Sequence, residues 1–372
     1  MTIVAEKHAP VHVIGGVDTH ADAHVVAALD QLGHELGWAS FPTTPAGYTD
    51  LERWLGDFGP VDLVGVEGTG VYGAGLTRSL SAGGLRVVEV DRPDRKARHR
   101  QGKSDPIDAY AAARAAQSGR ADGTPKTRDG SVEMIRTLRV ARNGAVKARA
   151  VALTQLKALI KTAPEPLRTD LRDLDGAGLL HRCAGLRAAR GAAPTPSTFA
   201  KRKGRPGPLS DPTAACKRAL ASLARRIAVL GEEIADLDDD LEPLITETAP
   251  RLLAMFGVGL DVAGQLLATA GDNPERIHSE SAFAHLCGVA PIPASSGKTS
   301  RHRLNRGGDR HANQALWRIA MTRLRFDPAT IAYRDRRAKE QKSNKEILRC
   351  LKRYVAREVY AALMADAARS TP

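Results

Sequence analysis

Aromatic residues are scarce, at 4% of the 372-residue chain. That excludes recognition of stacked bases on an aromatic sheet and leaves Arg and Lys contacts to phosphate as the main route to a nucleic acid. Cysteines are few and far apart, at Cys183, Cys216, Cys287 and Cys350. With no C-x-x-C or Cys/His spacing, neither a zinc module nor a disulfide scaffold is expected. No apolar run approaches the ~18 residues of a spanning helix, so no membrane partner is expected. The opening MTIVAEKHAPVHVIGG lacks the charged start and apolar centre of a signal peptide, so the expected location is cytoplasmic. What the chain does have is apolar content and charge. Hydrophobic residues reach 42%, enough for real cores, and the length suggests two or three domains. The net charge is +13, unevenly spread. Residues 1–90 hold 4 basic and 11 acidic residues, and the remainder holds 51 basic and 31 acidic. An acidic head on a basic body points to a polyanion, most simply nucleic acid; a solvated basic surface is the alternative.

The head reads as three strands, then alternating helices and strands. VHVIGGVD and HVVAALD form a hairpin around THADA, and LGWASFPTT is a third strand. Thr44-Pro45 opens a helix through GYTDLERWLGDF, with Thr as cap. VDLVGVE is a buried-type strand, VYGAGLTRSL a short helix, and LRVVEVD a fifth strand. Three antiparallel strands followed by α/β crossovers is the order of a ribonuclease-H-like α/β fold, expected over residues 1–125. A long helix is expected from Ser131 to about Thr162, with Val146, Ala150, Leu153, Leu156 and Ile160 on one face. Leu220, Leu223, Ile227, Leu230, Ile234, Leu237, Leu241 and Leu244 alternate by 3 and 4, a coiled-coil seam. Pro243 is expected to mark the end of that regular helix. The seam needs a partner, either the 131–162 helix folding back or, the preferred reading, another protomer. The middle region is thus 131–248, with residues 163–212 (rich in Pro, Gly and the basic KRKGRPGP) read as a partly ordered, irregular insertion. Residues 249–372 read as a mainly α C-terminal domain. Its Gly257-Val258-Gly259 turn fits a helix-hairpin-helix or a plain helix–helix turn.

Four carboxylates stand where metal-dependent phosphoryl transfer would want them. Asp18 ends the first strand and Glu67 ends the fourth. Asp105 and Asp108 open the helix after the fifth, with Asp105 as the expected cap and Pro106 at the first helical position. Strands one and four are neighbours in the expected topology, so Asp18 and Glu67 converge. Four like charges at one place are costly without cations, and two Mg²⁺ would neutralise them and polarise a scissile phosphate. Singly, each acid has a blander reading as a cap or turn residue; Glu67 is the hardest to explain that way. His20 and His24 read as turn and strand positions rather than ligands. The preceding basic segment, DRPDRKARHRQGK, offers Arg95, Lys96, Arg98, Arg100 and Lys103 as phosphate contacts, or is a solvated loop.

In the tail, LCGVAPIPASSGKTSRHRLNRGGDRHANQ sets Ser295-Ser296-Gly297 among Lys298, Arg301, Arg303, Arg306 and Arg310. A serine hydroxyl can attack a DNA phosphate, with cations stabilising the developing charge. On these residues alone, a loop that touches the DNA backbone is the stronger reading.

Taken together, the motifs resemble one family. GVDTHADAHVVA resembles its first-acid strand, VGVEGTGVY its second-acid motif, and GKSDPIDAYAAA its Lys-Thr-Asp-x-x-Asp-Ala segment, with Ser104 in the place of Thr. FGVGLDVAGQLLA followed by FAHLCGVAPIPASSGK resembles its serine-bearing tail. The family is that of insertion-sequence transposases with an Asp-Glu-Asp-Asp (RuvC-like) head, also called bridge-RNA-guided recombinases. The resemblance covers nearly the whole chain except residues 163–212. It implies that Asp18, Glu67, Asp105 and Asp108 hold Mg²⁺ and that Ser296, with Ser295 as its rival, attacks DNA. It also implies a dimer or tetramer with sites shared between protomers, and a guide RNA that pairs with donor and target DNA. The expected function is therefore a DNA transposase/recombinase acting through a phosphoserine intermediate. The alternatives are a metal-dependent Holliday-junction endonuclease with an idle serine, a sugar-kinase-like or actin-like ATPase, and a non-catalytic nucleic-acid scaffold.

Overall fold

The computed structural model describes residues 11–90, 104–190, 208–298 and 302–370. The first unit is a five-stranded sheet: β1 (Val13–Thr19), β2 (Ala23–Leu29), β3 (Glu35–Pro42), β4 (Val61–Glu67) and β5 (Val87–Val90). The order across the sheet is β3-β2-β1-β4-β5. β1 and β2 pair antiparallel, as do β2 and β3, while β1–β4 and β4–β5 are parallel. The expected neighbours, strands one and four, are therefore side by side. The connections are α1 (Pro45–Gly56), whose cap Thr44 accepts from the Gly47 amide at 3.1 Å, and α2 (Ala74–Ala82).

α3 (Asp105–Gln117) lies against one face of the sheet. Its approach is as close as atoms allow. A Cβ on Gly16 of β1 would stand 2.1 Å from the Ala113 amide nitrogen, and one on Gly65 of β4 would stand 2.8 Å from the Ala112 carbonyl oxygen. Ala109, Ala112, Ala113 and Ala116 form the buried stripe, because only small side chains fit this gap. On the other face Leu51, Leu55, Leu76 and Leu80 are fully buried against Val13, Val17, Val64 and Val66.

Two long helices follow, α4 (Ser131–Lys161) and α7 (Pro212–Thr248). They form an antiparallel hairpin within one chain. Val132 and Ile135 share a cluster with Leu241 and Ile245, while Leu156 and Ile160 share another with Leu220 and Ile227. The apolar seam thus finds a partner within the chain, in the helix that folds back on it. Every second seam residue (Leu220, Ile227, Ile234, Leu241) is buried; Leu223, Leu230, Leu237 and Leu244 are only half-buried. On α4 the buried line runs through Ala145, Ala152, Leu156 and Ile160, and Ala150 is exposed. α7 also continues through Pro243 to Thr248, past its expected end. A proline five residues from a terminus removes only one ladder bond, and the packing of Leu241 and Ile245 holds the last turn.

Part of the segment expected to be irregular is helical. α5 (Glu165–Leu171) and α6 (Gly176–Ala184) bury Leu167, Leu171, Leu179 and Cys183 against the far end of the hairpin. Residues 191–207, including KRKGRPGP, lie outside the described residues.

The tail is helical around a short ribbon. It contains α8 (Pro250–Leu253), α9 (Leu260–Ala270), α10 (Glu280–Leu286), α11 (Arg310–Phe326), α12 (Pro328–Lys339) and α13 (Asn344–Ser370). β6 (Ile292–Pro293) and β7 (His302–Arg303) pair antiparallel between α10 and α11. Phe283, Leu252, Leu316 and Val359 are fully buried in the shared core. α8 is a single turn, and Gly257, at φ +87°, packs on the Ile319 carbonyl of α11. A plain turn between helices accounts for that segment. The sheet unit is fastened to the tail by residues 124–127. The Lys126 ammonium donates to the Ala268 carbonyl at 2.6 Å and the Asn273 amide to the Pro125 carbonyl at 2.9 Å. No helix among the described residues is long and apolar enough to cross a membrane.

Candidate functional site

The C-terminal ends of β1 and β4 and the first turn of α3 meet at one place. The parallel register pairs Val17 with Val66, so Asp18 and Glu67 follow on adjacent strands. The Thr19 hydroxyl donates to the Glu67 carbonyl at 2.8 Å and ties the two ends together. Asp105 and Asp108 stand one turn apart at the start of α3, so both reach the same side of the sheet. The cap position belongs to Ser104, whose carbonyl accepts from the Asp108 amide. Asp105, expected as the cap, makes no capping bond, and its side chain is half-exposed.

A residue not expected as a ligand completes the group. The His20 Nε2 lies 3.1 Å from Asp18 Oδ2 and 3.6 Å from Asp105 Oδ1. Ligand atoms of Asp18, His20 and Asp105 all lie within 4.8 Å of one another. Glu67 and Asp108 are not part of that tight trio. Asp108 is nevertheless buried and acts on Asp18 through its charge. The sequence signal for His20 was its place two residues after Asp18; the turn after β1 carries the imidazole back over the strand end. His24 does behave as a strand residue, fully buried and stacked on Tyr48 at 5.8 Å.

The electrostatics fit a cation. Burial pushes the Asp18 carboxyl above its usual range, His20 pulls it down, and Asp108 and Asp105 push it up again. Carboxylate oxygens with one imidazole nitrogen are donors that can hold a divalent cation. The cluster thus offers a place for a divalent cation.

The second group of expected residues lies in the tail. Ser296 is exposed in the loop between β6 and β7, beside Lys298; Arg303 and Arg306 are also exposed. Ser295 is exposed too. No hydrogen bond or ion pair joins Ser296 to the acids among the described residues. Arg95, Lys96, Arg98, Arg100, Lys103 and Arg301 lie outside the described residues. Two tyrosines near the acids differ in access. Tyr72 is exposed, whereas Tyr110 is buried, covered by the Arg114 guanidinium, and its hydroxyl pKa is raised by burial.

Comparison with known proteins assigns both halves. Residues 15–163 match the DEDD transposase family of IS110-type elements, and residues 249–335 match the family described as Transposase IS116/IS110/IS902. The IS900 insertion element's uncharacterized 42 kDa protein from Mycobacterium paratuberculosis is 29% identical over 147 residues, 39% of this chain and 37% of the relative. The IS110 insertion element's uncharacterized 43.6 kDa protein from Streptomyces coelicolor is 32% identical over 149 residues, 38% of this chain and 36% of the relative. The chain thus spans little more than a third of the length of the curated relatives it matches. The acid-bearing head and the tail that contains Ser296 thus each match a domain of IS110-type transposases.

Proposed function

We propose that the chain is a DNA transposase/recombinase that cleaves and rejoins strands through a phosphoserine at Ser296, with Asp18, Glu67, Asp105 and Asp108 holding Mg²⁺. The observation that carries this is the meeting of Asp18, Asp105 and His20 at the ends of a sheet ordered β3-β2-β1-β4-β5. That order supports a ribonuclease-H-like, RuvC-like head, and the exposed Ser296, two residues from Lys298, supports a nucleophile presented to DNA. Bound Mg²⁺ supplies charge neutralisation at a phosphate, most simply as two ions per site. His20 hydrogen-bonds Asp18 and so orients its carboxylate. Ser296 Oγ gives up its proton and bonds to phosphorus as one deoxyribose oxygen leaves, and the departing oxygen takes up a proton in exchange. One phosphoester replaces another, so rejoining needs no external energy source.

Substrate recognition fits the same reading. Lys298, Arg301, Arg303 and Arg306 contact backbone phosphate near the serine, and Arg95, Lys96, Arg98, Arg100 and Lys103 do so near the acids. An element-encoded guide RNA pairs with donor and target DNA in the cytoplasm. The half-buried seam residues Leu223, Leu230, Leu237 and Leu244 give the α4–α7 hairpin an edge on which a second copy forms a coiled coil. In such a dimer or tetramer, the serine of one copy serves the acids of another.

The test is to trap the covalent protein–DNA adduct and map it by mass spectrometry. The expected site is Ser296, and Ser296→Ala abolishes the adduct and strand cleavage. Ser295 would be the nucleophile if the label moved there. Cleavage that survives Ser296→Ala would mean a water-driven nuclease of the Holliday-junction type, and an adduct at Tyr72 would overturn the serine assignment.

A further inference from the structure

A cavity of about 650 Å³ opens between the β6–β7 ribbon and α13. Its walls carry two kinds of group. Pro291, Leu304 and Tyr354 offer apolar and aromatic surface, and Leu304 and Tyr354 are each about half exposed. Arg303, Arg349 and Lys352 add positive charge, and among the described residues no carboxylate lines the cavity. Arg353 also lines it but is paired with Glu280. Neither Arg303 nor Arg349 makes an ion pair among the described residues. Cations without a carboxylate partner beside an apolar wall suit an anion that also carries an apolar face.

The floor is built to hold its shape. The Asn313 amide donates to the carbonyls of Cys287 and Gly288 at 2.9 and 3.0 Å, and its oxygen accepts from Lys352 Nζ at 2.8 Å. Asn305 donates to the His285 carbonyl at 3.0 Å. Gly308 sits so close that a Cβ there would stand 2.3 Å from the Gly288 nitrogen. Tyr354 is set edge-on to Tyr333 at 5.7 Å, which fixes the ring that faces the cavity.

The cavity is also next to the serine. Ala294 lines it, and Ser296 is two residues on, at most about 7 Å of extended chain. That is a distance on the scale of one nucleotide.

We propose that this cavity receives a nucleotide unstacked from the DNA strand, its base against Leu304 and Tyr354 and its phosphates on Arg303, Arg349 and Lys352. The proposal rests on the reading of Ser296 as the nucleophile for its biological sense, since the seated nucleotide would neighbour the attacked phosphate. A duplex keeps its bases stacked inside and cannot present one to a cavity this size. An unstacked base has an apolar face for the wall, and its flanking phosphates match the rim. An acidic peptide would use the cations but leave Leu304 and Tyr354 idle.

The experiment is a binding measurement on the full chain with excess chelator, so that cleavage chemistry plays no part. The probes are a short single-stranded DNA and the same strand with one abasic position at its centre. The intact strand should bind about tenfold more tightly, the expected contribution of one stacked base. Leu304→Asp and Tyr354→Ala should each remove that difference, and Tyr354→Ala should leave duplex binding unchanged. Arg349→Glu, an exposed change that leaves the fold intact, should weaken both strands alike. With 5-iodouracil at the central position, ultraviolet crosslinking should map to Tyr354 or its neighbours in the cavity. Equal binding of the two strands, a difference that survives Leu304→Asp and Tyr354→Ala, or crosslinks elsewhere would overturn the proposal. So would displacement of both strands alike by polyglutamate, which would mark a surface for acidic peptides. A positive result with no adduct at Ser296 would retain the cavity and reject the serine chemistry; the reverse would do the opposite.

Discussion

Asp18 pays in stability for what it does in function. Its carboxyl is buried and faces Asp105 and Asp108, with only His20 to offset them. Asp18→Asn removes the repelled charge and keeps the shape. Without divalent cations it should raise Tm by roughly 2–4 °C, and the further rise on adding Mn²⁺ or Mg²⁺ should vanish. Thermal melts with and without the cation check both halves, and a destabilised Asp18→Asn protein that still responds to the cation counts against the site. A second residue carries a pH signature. Burial, with Arg276 and Arg128 nearby, lowers the Lys126 pKa to about 8. The unfolded chain holds that proton to about pH 10.4, so it binds more protons than the folded one between those values. The burial penalty is therefore full below pH 8 and fades as pH rises to about 10.4, a gain on the order of 3 kcal/mol. Lys126→Met should flatten that rise in denaturant titrations run across the window. Of these residues, Asp18 was legible only in company: alone it could close a hairpin, and its meeting with Glu67, Asp105 and Asp108 was read from the order of the strands. His20 was not, because its role depends on a turn that folds it back toward a helix 85 positions later.

At the scale of elements, contact distance decides what the sequence alone left open. The five strands of the sheet and the starts of α1, α3 and α4 were legible, since apolar period, Thr44, Pro106 and Gly130 punctuate them locally, whereas the two-residue strands β6 and β7 were not. The pairing of α7 with α4 was not, because a 3–4 seam states that a partner exists without stating which. α5 and α6 were hidden by the Pro and Gly around them and are held by Leu167, Leu171, Leu179 and Cys183 in a core the sequence does not display. Close approach also makes a prediction. Gly16→Ala would drive a methyl into the Ala109–Ala113 stretch of α3 and push the start of that helix off the sheet. It should weaken the cation-dependent thermal shift at least tenfold in apparent affinity, since Asp105 and Asp108 ride on that helix. Gly144→Ala, in a helix with nothing within 4 Å, should instead stabilise by about 0.5–1 kcal/mol. Equal responses from the two variants would sink the idea that β1–α3 contact sets the acidic geometry.

Across the whole molecule, charge and shape divide the labour. The acidic head, 4 basic against 11 acidic residues in positions 1–90, repels a polyanion except where cations intervene, while the rest attracts it. Affinity for duplex DNA should therefore fall by about a hundredfold or more between 50 and 200 mM salt, and a shallow dependence would speak against a phosphate-led interface. The hairpin of α4 and α7 adds a mechanical consequence. A helix of 37 residues measures about 55 Å, close to the rise of sixteen base pairs. Braced by its neighbour, it is a calibrated strut: whatever is fixed at its two ends is held at a separation that thermal jostling cannot shorten, so lengthening it by one heptad would move those ends apart by about 10 Å and should shift any spacing they impose on bound duplex by about three base pairs.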